Sequence, residues 1–353
     1  MSKEGEAEPS YVHGARELPN VFVDAYGDDV RSKDGYFGDL VSKGAFQSLV
    51  KEVRDALKDG AGDPMENEPA ELTRARIDKL LKDGDPRCAG VIFTVVEKFA
   101  QNIAQVVKSL LKIRSWDGVE RIVIGGGFRA SRVGELAIGR AGVLAREIDP
   151  HLELTPIRGD PDEAGVIGAA QLFAPRLLKG AERMIGVDIG GSNFRCGLVE
   201  LNLQADAQLR KAGVVAHQIW RHADEELTLD ASMRRLGDML RQSIKYAAKR
   251  GLPLSPLIGV GVPGTVLESG GLEGGVLNLP GDWKSPDFHL PDRICAMIPE
   301  IGGRPTRVML HNDAVVQGLS EVPFMTDVSV WGVLTIGTGL GNALFRNKTA
   351  AGK

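Results

Sequence analysis

The stretch 182–201, ERMIGVDIGGSNFRCGLVEL, sets two apolar runs on either side of a Gly-Gly-Ser-Asn tip. It reads as strand, tight turn, strand, with Asp188 at the end of the first strand. A turn this rich in glycine lets backbone N–H groups approach an anion closely; an ordinary hairpin turn is the plain alternative. The residues in question are Asp188, Gly190, Gly191, Ser192 and Asn193, and Asp188 could face a metal ion or its water shell. A second unit of the same form, VSVWGVLTIGTGLGNALF, runs from 328 to 345. Its Thr335, Gly337, Thr338, Gly339 and Gly341 could offer hydroxyl and N–H donors to phosphate oxygens. Two such tips, one on each of two related lobes, could grip the β- and γ-phosphates of a nucleotide from opposite sides.

The first tip belongs near the beginning of a nucleotide-binding domain, and Met184 reads like an initiator, yet 183 residues precede it. Those residues are well patterned. Phe46, Leu49, Val53 and Leu57 share one helical face, and Val96, Phe99, Ile103, Val106 and Leu110 form a longer apolar stripe over 92–112. VERIVIGGGF then reads as a strand ending in glycines, 131–148 as a helix, LELTPI as a strand and 161–174 as a closing helix. After the first tip, 228–249 reads as a helix capped by Thr228 or Asp230. Strands alternating with helices predict an α/β fold with a largely buried sheet.

The 353 residues suit two domains or one bilobed one, and 43% hydrophobic content can fill a sizeable core. The formal charge of -4 gives no sign of nucleic acid or an anionic membrane as partner. Cys88, Cys196 and Cys295 are scattered, so neither a disulfide framework nor a structural zinc is expected. The polar N-terminus is unlike a signal peptide, and no apolar run nears the roughly 20 residues of a membrane span. The expectation is a cytoplasmic protein; a homodimer stays open.

Three further segments could carry chemistry. In VIGGGFRAS (123–131), Gly125, Gly127 and Ala130 match GxGxxA after a strand, with Glu147 near the acidic position of a dinucleotide site. The alternative is a nucleoside site at Gly125, Gly126 and Gly127, where adenine and ribose lie on bare backbone. In LHNDAVVQG (310–318), Asn312 and Asp313 stand where a strand gives way to a helix, a common place for site residues. Asp313 could take a proton from a substrate hydroxyl while Asn312 bonds a neighbouring one; an N-cap is the rival reading. The segment 261–283, with Gly264, Asn278 and Trp283, could form a polyol-binding wall.

Together these segments resemble the ROK family of sugar kinases, within the actin, Hsp70 and hexokinase superfamily. GVDIGGSNFRCGLVE resembles its first phosphate motif, GVGVPGTV and LNLPGDW its sugar-side segment, HNDAVVQGLSE its catalytic aspartate segment and TIGTGLGNALF its second phosphate motif. GDPRCAGVIFTVVEKFAQNIAQVV, VERIVIGGGF and DPDEAGVIGAAQLF resemble the half that normally comes last. The order is rotated, as in a circular permutation, with APRLLKGAER joining the old ends. The family's Glu-x-Gly-His and its cysteine-rich zinc segment are absent, His13 lies roughly where the family histidine would, and Asn193 stands where lysine is common.

The resemblance implies two ribonuclease-H-like lobes of the actin-like ATPase fold around a central cleft. The expected division is a partly mobile tail and loops over 1–40, a larger lobe of 41–162 plus 306–353, and a smaller lobe of 163–305. It further implies ATP-dependent phosphorylation of a hexose or amino sugar, with Asp313 as base and Asn312, Asn278 and Gly264 on the sugar. Adenosine would lie near Gly125–Gly127 and Gly168, and Mg²⁺ would be held through water at Asp188. A non-catalytic sugar or nucleotide sensor, a nicotinamide oxidoreductase resting on GxGxxA alone, and polyphosphate as donor are the alternatives.

Overall fold

The computed structural model describes residues 12–348 apart from 29–30, 33–34, 59, 61 and 277. Two five-stranded sheets organise them. The first contains β1 (Val21–Tyr26), β2 (Arg121–Gly125), β3 (Glu153–Pro156) and the C-terminal hairpin β9 (Val330–Ile336) and β10 (Leu340–Asn347), in the order β1-β10-β9-β2-β3. The second contains β4 (Arg183–Ile189), β5 (Phe194–Glu200), β6 (Gly213–Trp220), β7 (Leu257–Val262) and β8 (Arg307–Asn312), in the order β6-β5-β4-β7-β8.

In the second sheet β4, β5 and β6 form an antiparallel meander, and β7 and β8 add in parallel to the free side of β4. In chain order this is 3-2-1-4-5. The first sheet has the same order and strand directions when β9 is counted first, β10 second, β1 third, β2 fourth and β3 fifth. Both lobes are therefore ribonuclease-H-like, the arrangement of the actin-like ATPases. In the first, the described chain begins just before the third strand and ends just after the second.

Strand alternation sorts the side chains into layers. Ile122, Ile124, Leu334 and Ile336 face outward, under α1 (Lys43–Lys58), α2 (Arg74–Asp83), α3 (Pro86–Leu110) and α4 (Arg132–Ile148). Ile185, Val187 and Ile189 cover the far side of the second sheet, beneath α6 (Leu229–Lys249, capped by Thr228) and α7 (Leu290–Met297). Val123, Trp331, Val333, Met184 and Val199 turn inward to a shared core that holds α5 (Pro161–Gly168) and α8 (Asp313–Leu319).

The N-terminal residues differ from expectation. Residues 1–11 of the expected tail lie outside those described, but Val21–Tyr26 is an edge strand of the first sheet, paired with β10 and burying Val21 and Val23. Its six residues are too few for a firm periodicity. The lobe boundary also lies later than 306, because β8 pairs with β7 and the chain changes lobe only at Asn312.

The two buried helices touch backbone to backbone. A Cβ on Gly168 would lie 1.9 Å from the Val316 carbonyl oxygen. Gly168 therefore belongs to the packing of α5 on α8, not to an adenosine site. Gly168→Ala should destabilise the protein by about 1–3 kcal/mol or more, because neither backbone can retreat. Urea melts that coincide with those of the parent would contradict this packing.

Candidate functional site

The two glycine tips meet. Ser192 Oγ lies 2.6 Å from Thr338 Oγ1. A Cβ on Gly191 would lie 3.7 Å from that of Thr338 and 3.3 Å from that of Asn278. The first tip is closed by the Gly190 N–H donating to the Asn193 carbonyl at 2.9 Å. Behind it, buried His222 donates from Nε2 to the Gly190 carbonyl at 2.9 Å, and its ring packs against Phe194, which also touches Trp220 and Trp283. The second tip is closed by Gly337 N–H to Gly339 O at 2.9 Å, and the Gly337 carbonyl accepts from Lys43 N–H at the start of α1. An apolar cluster thus braces one tip and a helix start the other.

Asp188 ends β4 with no exposed surface. One oxygen accepts from Arg195 Nη1 at 3.1 Å, and Oδ1 has no hydrogen-bond partner among the described residues. Gly165 on α5 lies so close that a Cβ there would stand 2.6 Å from the carboxyl carbon. Arg195, on the neighbouring strand, is shared: its Nε and Nη2 donate to Asp162 Oδ1 at 3.0 and 2.7 Å. Burial raises the Asp188 pKa and the Arg195 charge opposes the rise.

Asp313 is the first residue of α8. It adjoins Gly261 of β7, whose Cβ would meet the Asp313 Cα at 3.4 Å, and the next residue, Ala314, packs on Gly341 of the second hairpin. Burial first, and then the charge of Asp188, push the Asp313 carboxyl from 3.8 up to about 7. Two carboxyls, one near the end of β4 and one just after β8, thus lie close enough to interact, and Asp313 is moved toward neutrality.

Other expected site residues take different places. Asn312 is the cap of α8: its Oδ1 accepts from Ala314 and Val315 N–H at 3.0 and 3.3 Å, and its Nδ2 donates to the Gly264 carbonyl at 3.0 Å. Both polar atoms thus have protein partners, with one Nδ2 hydrogen left over, and the side chain is buried. Gly264, at φ +95, makes a turn in which a Cβ would strike the Gly274 carbonyl. Thr335 is buried in β9 opposite Gly341, below the tip, whereas Thr338 and Gly339 are exposed. Asn278 is exposed beside the first tip.

Gly125–Gly127 end β2, next to β9. Gly126, at φ +82, lies where a Cβ would be 2.5 Å from the Ile336 carbonyl, and the Gly127 carbonyl accepts from the Arg74 guanidinium. The dinucleotide alternative does not fit this turn. A 3-10 turn follows the glycines, and the Arg132 and Val133 N–H groups at the start of α4 already donate to the Asp78 carboxylate at 3.0 and 3.1 Å. The helix end that would hold a pyrophosphate is occupied by protein.

Two ribonuclease-H-like lobes, each with a glycine-tipped hairpin at a shared junction, define the actin-like ATPase fold. No family model matches the chain, and no curated protein matches it. Solved structures similar to it are sugar kinases. One is a candidate sugar kinase from Cytophaga hutchinsonii, 18% identical over 47% of this chain and 48% of that one, with TM-score 0.35. A second is a ROK family glucokinase from Streptomyces griseus in complex with glucose and AMPPNP, 20% identical over 48% and 47%, TM-score 0.34. A third is a candidate N-acetylmannosamine kinase from Listeria monocytogenes, 23% identical over 47% of each chain, TM-score 0.32. The chain spans about half the length of each. The fold assignment rests on the strand order, and the resemblance assigns no residue a role.

In an unfolded chain Asp313 loses its proton near pH 4, and in the folded protein near 7. The folded state holds the extra proton between these values, so this residue costs stability as pH rises from about 4 to about 7. Asp313→Asn should therefore raise the melting temperature at pH 8 and give little gain at pH 4. A difference from the parent that does not change with pH would contradict the raised pKa of this half-buried carboxyl.

Proposed function

We propose that the protein transfers the γ-phosphoryl group of ATP to a hydroxyl of a hexose or amino sugar, with Asp313 as general base. Two observations support this reading: burial and the Asp188 charge move the Asp313 carboxyl toward neutrality, and the glycine tip that follows the Asp188 strand is bridged to the second tip by Ser192 and Thr338. A general base works best with a pKa near the operating pH. Phosphoryl transfer asks the protein chiefly for positioning and charge stabilisation.

In this reading the backbone N–H groups of Gly190–Asn193 and Gly337–Gly339, with the Ser192 and Thr338 hydroxyls, bind the phosphates. The two hydroxyls now bond each other, so the lobes part to admit the nucleotide and its oxygens replace that contact. Adenosine lies on the Gly125–Gly127 turn. The sugar lies on the 261–283 side, with Asn278 as its polar contact and Asn312 holding the Gly264 wall in place. Asp313 accepts the hydroxyl proton as the sugar oxygen attacks.

Asp188 fits a hydrated Mg²⁺: its buried Oδ1 lacks a partner and would accept from a water of the ion, while Arg195 holds the other oxygen. When bound, Mg²⁺ would offset charge on the β- and γ-phosphates. The rotated order of motifs, with the third, fourth and fifth strands of one lobe preceding its first and second in the chain, supports a circular permutation of the ROK arrangement.

The test is ADP release, followed by a coupled assay across hexoses and amino sugars. Sugar-dependent release is expected, and Asp313→Asn should lower kcat by about 10²–10⁴ with nucleotide affinity near that of the parent. Turnover close to that of the parent would remove Asp313 from the base role. Ligand-induced stabilisation without ADP from any sugar would favour a sensor.

A further inference from the structure

His311 precedes the cap Asn312 and the carboxylate Asp313, and it is fully buried. Its Nδ1 accepts from the Asn312 N–H at 2.8 Å, so the ring proton is on Nε2, which donates to the Ala15 carbonyl at 3.1 Å. Burial holds the ring pKa down to about 4, so this arrangement persists at neutral pH. The Asn312 N–H lies outside the hydrogen bonds of α8, and the ring is what satisfies it.

Ala15 belongs to the segment that leads into β1. That segment lies on the second lobe: Gly14 N–H donates to the Leu310 carbonyl at 3.0 Å, and Gly14, at φ +63, presses on Val266 so closely that a Cβ would be 2.2 Å from its oxygen. β1 then carries the chain into the first sheet. At the end of β1, Tyr26 packs edge-on against His311 at 5.2 Å and 70°. One ring thus joins an N-terminal segment that spans both lobes to the start of the helix bearing Asp313.

We propose that His311 is a positioning residue for phosphoryl transfer, tying the Asn312–Asp313 corner to residues 12–26 and making that segment a working part of the site. This rests on the kinase reading. Its physical basis is that a base must hold its place: a displacement near 1 Å can cost about 10²-fold in rate.

Three variants separate positioning from mere packing. His311→Asn keeps an acceptor for the Asn312 N–H but cannot reach Ala15. His311→Leu loses both links. Gly14→Val unseats the segment without touching the ring. Each should lower kcat by about 10–10²-fold, well below its melting temperature, with KM for ATP little changed. His311→Gln, whose amide can reach Ala15, should recover part of the loss seen with leucine. Amide exchange at Asn312, Ala314 and Val315 should quicken in His311→Leu and Gly14→Val, with β4 and β5 unchanged. Parental kcat in His311→Asn, or unaltered exchange at those amides, would overturn the proposal. Should the parent release no ADP with any sugar, the kinase reading fails, and the exchange data still decide whether the tether exists.

Discussion

Holding two carboxyl groups, Asp188 and Asp313, in one poorly solvated junction is the constraint on which the rest of the structure depends. One lies near the end of β4 and the other just after β8, and each is penalised by burial. The fold answers the cost unequally. Asp188 receives Arg195, itself held by Asp162, whereas among the described residues Asp313 has backbone donors and the more distant charge of Arg195. Burial raises the pKa of both groups, and Asp188 alone has an arginine in hydrogen-bond contact to oppose the rise. The junction exists because α5 and α8 fit between the sheets: Gly168 lets the two helices approach to backbone distance, and Gly165 leaves room for the Asp188 side chain.

Much of this was legible in the sequence. The paired hairpins were visible because glycine tips flanked by alternating apolar residues leave few other readings, and the tips do meet. Asp313 was recognisable from its place between strand and helix. What escaped was long-range. Arg195 and Asp162 are 33 residues apart and look like ordinary surface charges until folding stacks α5 on the β4–β5 hairpin. Gly168 shows the converse difficulty: a glycine making room for a helix has the same signature as one making room for a ligand. Asn312 was read correctly as a possible cap.

The strand order of the first sheet gives residues 12–26 unusual weight. In the second lobe the third strand is continuous with its hairpin, whereas in the first lobe the equivalent strand, β1, arrives from the other end of the chain. It is preceded by residues laid along β8 that contact the corner bearing the candidate base. A segment that composition alone marks as soft and polar thereby becomes a connection between lobes. Its short length and edge position hid it, since an edge strand is specified by its pairing more than by its own pattern.

The most direct test of the central claim is a crystal structure with a non-hydrolysable ATP analogue and a sugar that supports turnover. The account predicts the Asp313 carboxylate at about 3 Å from the hydroxyl that faces the γ-phosphate, with the Ser192 and Thr338 hydroxyls separated and turned to phosphate oxygens. A nucleotide bound elsewhere, or an Asp313 carboxylate still enclosed and remote from every sugar hydroxyl, would contradict it.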